Sequence, residues 1–306
     1  MKAMFAGLAV AACVGATVLA QQQDFSKVEI KTTKLASNFY TLDGSGGTIG
    51  VLAGPDGVLM VDTQFAPLGD KIVAAIKQIS DGRNDQRPMT IRYLVNTHVH
   101  PDHIGGNENI GKLGATIFAR ENLRMRMMKP APQANGQPGV PAPAIALPTV
   151  TYDAPLTFHV NGEDVRLIPV PAAHTDGDTM VYFANANVIM TGDFYRSTGY
   201  PNIDRANGGT MNGMLAGFDA IVAVAKADTK IVPGHGLVVN KTDVAAHKAM
   251  MMAVRDKVAA LVKQGKTQDE VIAAKPTTEF DSKVTGASAM TADRFVGQLY
   301  QEIKGK

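Results

Sequence analysis

Short apolar stretches separated by turn residues dominate the beginning of the chain. Apolar runs cover residues 28–30, 39–42, 48–52 and 58–61, and Asp and Gly residues lie between them. This pattern predicts an antiparallel meander of four strands. The following segment, residues 68–79, has apolar residues at helical spacing, which predicts a helix with one face on a sheet.

The rest of the chain alternates between predicted strands and predicted helices. In the first half, strands are predicted at 91–95 and 115–118, with helices around 107–110 and 121–128. The second half resembles the first in content, so we expect an α/β fold with two sheets packed between outer helices. Its predicted strands are 156–160, 165–170, 180–183, 188–190 and 230–232, and its helices are 211–225, 244–262 and 292–303.

A histidine-rich stretch, residues 97–103, directly follows the predicted strand 91–95. In an extended segment alternate side chains share a side, so His98 and His100 point the same way. Asp102 and His103 are adjacent and diverge from that pair. Imidazole and carboxylate groups are metal ligands, so the stretch predicts a site for two neighbouring metal ions.

Three further potential ligands follow other predicted strands: His174, Asp193 and His235. Glycine lies within a few residues of each, which lets the backbone approach an ion closely. Five of the seven histidines fall in these loops. The remaining two, His159 on a strand and His247 on what reads as a charged helix face, are predicted not to bind metal.

The ordered set of His98, His100, Asp102, His103, His174, Asp193 and His235 resembles the metallo-β-lactamase superfamily. The resemblance implies a four-layer αβ/βα sandwich that binds two zinc ions at one edge. It implies that His98, His100 and His174 hold the first ion, that Asp102, His103 and His235 hold the second, and that Asp193 bridges them.

Three residues have implied roles beside the ligand set. Asp62 matches the family's aspartate that orients the histidine loop, Asp102 would also steer the attacking water as the catalytic residue, and Arg196 would bind a substrate carboxylate. For Asp62 the alternative is a simple strand-end turn residue, and for Arg196 it is a solvent-exposed structural arginine.

These features predict an exported zinc hydrolase that opens a cyclic amide or ester, with β-lactams as the leading substrates. True lactamases of this superfamily generally have Cys or Ser at the position of Asp193. The aspartate therefore favours two alternatives, a lactonase or a thioesterase of glyoxalase II type. An iron-containing sulfur dioxygenase, with iron as the metal, is a further alternative. The last alternative is a metal-dependent binding protein that does not turn over a substrate.

Residues 1–20 are predicted to be a secretory signal peptide, because Lys2 precedes an uncharged apolar run and residues 18–20 suit cleavage. Residues 21–306 then form the catalytic domain with a helical C-terminal part, located in the periplasm. Two alternatives are a lipoprotein cleaved before Cys13, the only cysteine, and an uncleaved membrane anchor of marginal length.

Composition and one irregular segment complete the predictions. The net charge is +2, and basic residues form no block, which argues against nucleic acid and for a small-molecule substrate. Residues 129–148 contain six prolines, which exclude a regular helix or strand. This segment is either a lid over the site or a surface insertion without a catalytic role.

Overall fold

In the part of the chain that the structure describes, the first sheet has seven strands. A computed structural model describes residues 24–81, 90–132 and 136–305, so the predicted signal peptide and Cys13 lie outside the described residues. The strands pair in chain order, antiparallel from β1 to β4 and parallel from β4 to β7. They are β1 Lys31–Lys34, β2 Phe39–Asp43, β3 Ile49–Gly54, β4 Gly57–Val61, β5 Ile91–Val95, β6 Thr116–Arg120 and β7 Val150–Tyr152.

The second sheet has five strands in the order β12-β11-β10-β9-β8. The pairs from β8 to β11 are antiparallel, and β12 joins β11 in parallel. The strands are β8 Leu156–Val160, β9 Glu163–Pro169, β10 Thr179–Phe183, β11 Val188–Met190 and β12 Lys230–Val232.

Helices cover the outer faces of both sheets. On the first sheet, α1 and α3 pack against its outer face, and α5, α6 and α9 share one hydrophobic core with strands of the second sheet. The helices are α1 Gly69–Asp81, α2 Pro101–Ile104, α3 Asn107–Lys112, α4 Glu121–Met128, α5 Met211–Val224, α6 Lys241–Lys263, α7 Gln268–Ala273, α8 Thr278–Asp281 and α9 Ala289–Lys304.

Because side chains alternate along each strand, the first sheet contributes residues to two hydrophobic cores. Along β4, Val58 and Met60 face α1, whereas Leu59 and Val61 face the second sheet. Between the sheets, Phe39 of β2 meets Phe183 of β10 with ring centroids 4.5 Å apart. Burial on both faces is why these strands are almost continuously apolar.

The predicted αβ/βα sandwich is therefore confirmed, with one correction in the meander. The first strand was predicted at residues 28–30, but β1 begins at Lys31. The side chains of Val28 and Ile30 pack against the outer core of the first sheet, so their apolar character reflects packing rather than strand pairing. No observation tests the division into a signal peptide and a domain of residues 21–306.

The proline-rich segment, residues 129–148, has no regular helix or strand in its described part, as predicted, apart from a 3-10 turn at Ala144–Ala146. Ala142, Ala146 and Leu147 pack with α4 and with Val99, which lies between two of the predicted ligands. The segment thus lies against the histidine loop. Across the described ranges, no helix has both the length and the apolar character that crossing a bilayer requires.

His247 does not lie on a charged helix face, so that prediction was wrong. In α6 it shares a face with the buried Met251, Val254 and Val258, three to four residues apart in helical steps. Its ring centroid lies 5.4 Å from that of Tyr195. Burial lowers the pKa of His247 to about 4.

This burial predicts that His247 makes the folded protein less stable in mild acid. The pKa of His247 falls from 6.5 to about 4 on folding, so between those pH values the unfolded chain binds the extra proton. The free energy of unfolding therefore rises with pH across this window, by about 2–3 kcal/mol in all.

Urea unfolding of wild type and His247→Gln at several pH values between 4 and 7 measures this contribution. The free-energy difference between the two proteins should shift by that amount across the window. His159→Gln is the matched control, because the His159 side chain is 78% exposed. Parallel pH profiles for wild type and His247→Gln would contradict the prediction.

Candidate metal centre

All seven predicted ligands come together at one edge of the two sheets. The histidine loop follows β5, His174 follows β9, Asp193 follows β11 and His235 follows β12. Pro101 begins α2, a position where its fixed φ suits a helix. This turn brings the His103 ring back beside His98, with ring centroids 4.1 Å apart. The ligand atoms form three overlapping groups, each within 4.8 Å: His98–His100–His174, His98–His103–Asp193 and Asp102–His103–His235.

In the first group, hydrogen bonds fix which nitrogen of each ring faces inward. His174 Nδ1 donates to the carbonyl of Asn202 at 2.7 Å. In the neutral ring, Nε2 of His174 is therefore unprotonated and has a free lone pair. His100 Nε2 donates to the Asp204 carboxylate at 2.7 Å, which leaves Nδ1 as the lone pair. These two inward atoms, His174 Nε2 and His100 Nδ1, lie 2.8 Å apart.

His98 is oriented by the same principle. The Thr97 hydroxyl donates to Asp62 Oδ2 at 2.6 Å, so its oxygen accepts from His98 Nδ1 at 3.1 Å. His98 Nε2 is then an inward lone pair, buried and without a hydrogen-bond partner among the described residues.

Asp193 lies between the histidines of the three groups, and its two oxygens face different rings. Its Oδ1 lies 3.2 Å from His103 Nε2 and 3.3 Å from His235 Nε2, whereas Oδ2 lies 3.9 Å from His174 Nε2. In the third group, Asp102 Oδ2 lies 3.1 Å from His235 Nε2. This geometry suits a carboxylate shared by two ions.

Asp62 lies beneath the histidine loop as a buried acceptor. Its carboxylate accepts hydrogen bonds from the Thr97 amide at 2.8 Å, from the Thr97 hydroxyl and from His103 Nδ1 at 2.7 Å. Asp62 has φ +62°, a left-handed conformation that short polar residues tolerate. The contacts are those of a residue that orients the loop rather than a simple turn residue.

The residues present fit divalent cations. Two inward lone pairs 2.8 Å apart repel one another, and His98 Nε2 is buried without a hydrogen bond in the described part of the chain. Buried polar groups normally have partners. Imidazole nitrogens and carboxylate oxygens are ligands of zinc, and iron also accepts this donor set.

The electrostatics of the site agree with this fit. Burial lowers the pKa of His98 well below its usual value and that of His174 to about 4, so both rings are neutral ligands at pH 7. Burial opposes ionisation of Asp193, but His103 and His235 outweigh it and hold the pKa of Asp193 well below its usual range. Burial also disfavours protonated His103, yet Asp62 and Asp193 raise its pKa well above the usual value.

Two glycines allow the chain to approach the ligands closely. A Cβ atom on Gly234 would lie 2.0 Å from Asp193 Oδ1, and one on Gly47 would lie 2.1 Å from His103 Cε1. Both distances are far below contact range, so a side chain at either position would displace a ligand. Proximity of glycine to His235 was predicted, but the role of Gly47 was not.

Sequence reasoning missed the acceptors that orient His100 and His174. Asp204 and Asn202 lie in the loop between β11 and α5, with no motif around them. Asp178, also missed, accepts from the backbone amide of His174 at 2.7 Å, and burial raises the pKa of Asp178 to about 7. The available signal for Asp178 was its position four residues after His174, in the same loop.

The C-terminal helix α9 braces this same loop through polar residues four positions apart. Arg294 donates to the Tyr200 carbonyl at 3.2 Å, Gln298 accepts from the Ile203 amide at 2.9 Å, and Glu302 accepts from the Met211 amide at 2.7 Å. The helix thereby supports the segment that contains Asn202 and Asp204.

The other predicted residues take the following places. Arg196 lies beside the site, with Nη1 3.7 Å from Asp193 Oδ2. His159 is exposed and pairs with Asp164 at 2.7 Å. Among the described residues, neither His159 nor His247 belongs to one of the three candidate ligand groups.

The fold and the site define an αβ/βα sandwich with a histidine- and aspartate-lined metal-type centre at its edge. The profile of the metallo-beta-lactamase superfamily matches residues 42–235. The chain therefore belongs to this superfamily, which confirms the resemblance.

Curated relatives are similar over part of their length. The chain is 30% identical to a hydroxyacylglutathione hydrolase of Nitrosococcus oceani over 49% of this chain and 50% of the relative. A hydroxyacylglutathione hydrolase of Brucella ovis is 28% identical over 58% of this chain and 61% of the relative. The chain thus spans about half to three fifths of these relatives.

Solved structures share the fold at low identity. The sec-alkylsulfatase Pisa1 from Pseudomonas sp. has a TM-score of 0.68 and 15% identity, covering 89% of this chain and 50% of its own. A metallo-beta-lactamase from Pontibacter korlensis has a TM-score of 0.56 and 16% identity, covering 72% of this chain and 98% of its own.

The hydrogen bond from His100 to Asp204 predicts that Asp204 sets metal affinity in the first group. Asp204→Ala should weaken metal binding at the first group by about 10- to 100-fold, because the His100 tautomer is no longer fixed. Asp204→Asn, which keeps an acceptor, should recover part of the loss. Equilibrium dialysis against zinc buffers, with Co²⁺ spectra of the bound sites, measures the effect.

The matched control for this experiment is Asp164→Ala. Asp164 accepts from His159 at the same 2.7 Å, but the pair is exposed, so its loss should leave metal binding unchanged. Equal zinc affinities for Asp204→Ala and Asp164→Ala would show that the contact does not matter for binding.

Proposed function

We propose that this protein is a metal-dependent hydrolase with a two-ion centre, which cleaves an ester, thioester or cyclic amide of a small molecule. The observation that carries the proposal is the convergence of the three ligand groups, with the oxygens of Asp193 facing both sides. Membership in the superfamily and similarity to hydroxyacylglutathione hydrolases support the same class.

The residues of the chain contribute in distinct ways. Bound cations, zinc in the first instance, would polarise a carbonyl and lower the pKa of a water molecule. Asp102, half-buried at the rim with Oδ2 near His235, accepts a hydrogen bond from the attacking water and orients it. Asp62, Asp204 and the Asn202 carbonyl hold the imidazoles so that the ligand set does not reorganise during the reaction.

For the substrate, a thioester of glyoxalase II type has the stronger support. The curated relatives are hydroxyacylglutathione hydrolases, and an aspartate at position 193 is the ligand that favours general hydrolases over lactamases. Because the relatives match over about half their length, this substrate remains part of the proposal. Lactones belong to the same general class.

A β-lactam is the second candidate substrate. Arg196, 3.7 Å from Asp193 at the site's rim, can bind the carboxylate that β-lactam antibiotics carry. The predicted signal peptide supports this candidate, because a periplasmic location exposes the enzyme to antibiotics. Export through residues 1–20, or anchoring through Cys13, is part of this proposal.

The proposed function predicts metal-dependent turnover of a substrate panel. Purified protein should contain about two metal ions, and chelation should abolish hydrolysis of a hydroxyacylglutathione, a lactone or nitrocefin until zinc is restored. His100→Ala and Asp193→Ala should each reduce kcat/KM by about 100-fold or more, because each removes a ligand that fixes the ions.

His159→Ala is the control for this experiment, since that exposed histidine lies outside the ligand groups. Metal analysis distinguishes zinc from iron, and oxygen consumption with a persulfide tests the dioxygenase alternative. Turnover that survives complete metal removal would contradict the proposal, and metal binding without turnover of any ester, amide or sulfur substrate would favour a binding protein.

A further inference from the structure

Residues 202–207, in the loop between β11 and α5, orient two ligands of the first group at once. The Asn202 carbonyl accepts from His174 Nδ1 at 2.7 Å, and the Asp204 carboxylate accepts from His100 Nε2 at 2.7 Å. The Asp204 amide also donates to the His174 carbonyl at 2.9 Å. The position of this short segment therefore decides how both rings face the first group.

Helix α9 fixes the beginning of the segment through one side chain. Gln298 Oε1 accepts from the Ile203 amide at 2.9 Å, and Gln298 Nε2 donates to Asn202 Oδ1 at 2.8 Å. The Ile203 N–H and the Asn202 carbonyl belong to the same planar peptide unit. Gln298 thus holds one side of the peptide whose other side accepts from His174.

Helix α4 fixes the end of the segment through a second series of hydrogen bonds. Asn207 Nδ2 donates to Asp204 Oδ2 at 2.6 Å, the same oxygen that accepts from His100. Asn207 Oδ1 accepts from Arg126 Nη1 of α4 at 3.0 Å. Arg126 is fixed in turn by Asp176, which accepts from its Nε at 2.7 Å and its Nη2 at 2.6 Å.

The direction of both series is set by chemistry. A guanidinium group only donates and a carboxylate only accepts, so the Asn207 amide between Arg126 and Asp204 has one consistent orientation. The Ile203 N–H only donates, which likewise sets the Gln298 amide. Hydrogen bonds in series polarise one another, and the partner of the outer nitrogen orients a ligand imidazole and raises its basicity.

We propose that Gln298 and Arg126 are positioning residues that control metal binding at the first group. Gln298 acts on His174 through the peptide between residues 202 and 203, and Arg126 acts on His100 through two intermediate side chains. This inference rests on the proposed two-ion centre. Control of the first group thereby comes from two helices that contribute no ligand themselves.

The control is selective for the first group. His103, which belongs to the other two groups, is oriented by Asp62 from the loop after β4, and this contact does not involve residues 202–207. Gln298 also lies outside residues 42–235, which match the superfamily. The ligand motif alone therefore does not reveal its role.

Metal titration of three variants tests the inference. Gln298→Ala, Arg126→Ala and Asn207→Ala should each weaken metal binding at the first group by about three- to tenfold, less than Asp204→Ala, because the direct acceptors remain but are no longer held. Binding that involves His103 should change by less than about twofold. Asn207→Ala leaves the pair of Arg126 with Asp176 intact, so it tests the α4 series even if Arg126→Ala does not fold.

Zinc titration against a competing chelator measures the affinities, well below the Tm of each variant. Co²⁺ absorption spectra show which group is affected, because the bands missing in His100→Ala belong to the first group. Gln301→Ala is the matched control, since Gln301 lies on the same helix α9 and donates to Gln268 on the exposed surface at 3.2 Å. Its metal affinities should equal those of wild type.

Double variants separate positioning from general support of the fold. Because Arg126 acts through Asp204, adding Arg126→Ala to Asp204→Ala should cause no further loss of affinity. Gln298 acts through a different peptide, so adding Gln298→Ala to Asp204→Ala should lower the affinity again. Gln298→Glu keeps an acceptor for the Ile203 amide and should recover most of the loss seen in Gln298→Ala.

Two results would overturn the inference. One is first-group affinities within about twofold of wild type in Gln298→Ala and Asn207→Ala, and the other is an equal loss of affinity in all groups. A wild-type protein whose metal binding does not depend on His100 would instead overturn the proposed two-ion centre, so the two failures are distinguishable.

Discussion

The metal centre depends on hydrogen bonds that run outward from its imidazoles. Asp62, Asp204 and the Asn202 carbonyl each accept from the outer nitrogen of a ligand ring, and Thr97 does the same for His98. Because each outer nitrogen is a donor, the inner nitrogens of His98, His100 and His174 present lone pairs in the neutral rings. The inner nitrogen of His103 does so once it releases the proton that Asp62 and Asp193 stabilise. The ligand geometry is thus formed before any ion binds, and the metal-free protein contains repulsion between lone pairs.

The sandwich explains why these acceptors come from distant parts of the chain. Thr97 and Asp62 lie in loops that follow strands of the first sheet, whereas the loops after β9, β11 and β12 follow strands of the second. Bonds such as the Thr179 amide to the Thr97 carbonyl join the two sheets near the site. Because the two sheets are closely packed, their relative position is fixed. The apolar core between them therefore holds the residues of the site in a defined geometry.

Much of this arrangement could be predicted from sequence. Strands buried on both faces leave a strong apolar signal, and β5, β8, β11 and β12 were predicted with their observed bounds. Ligands such as His98 and His235 follow these strands, so their convergence could also be expected. Asp204 and Arg294 could not be found in this way, because their roles depend on how an irregular loop and α9 pack. His247 was misjudged because the charged Lys248 adjoins it in sequence, although the residues at helical spacing from His247 are buried.

The position of the site between the sheets has a consequence for the whole molecule. Cys13 is the only cysteine in the chain, so no disulfide can join its two halves within one copy. Ions held jointly by His98 and His174 would link segments more than seventy residues apart, and closing so long a loop removes much of the freedom of the unfolded chain. The catalytic centre would then also stabilise the fold by linking loops of the two sheets, and loss of its ions would lower the free energy of unfolding.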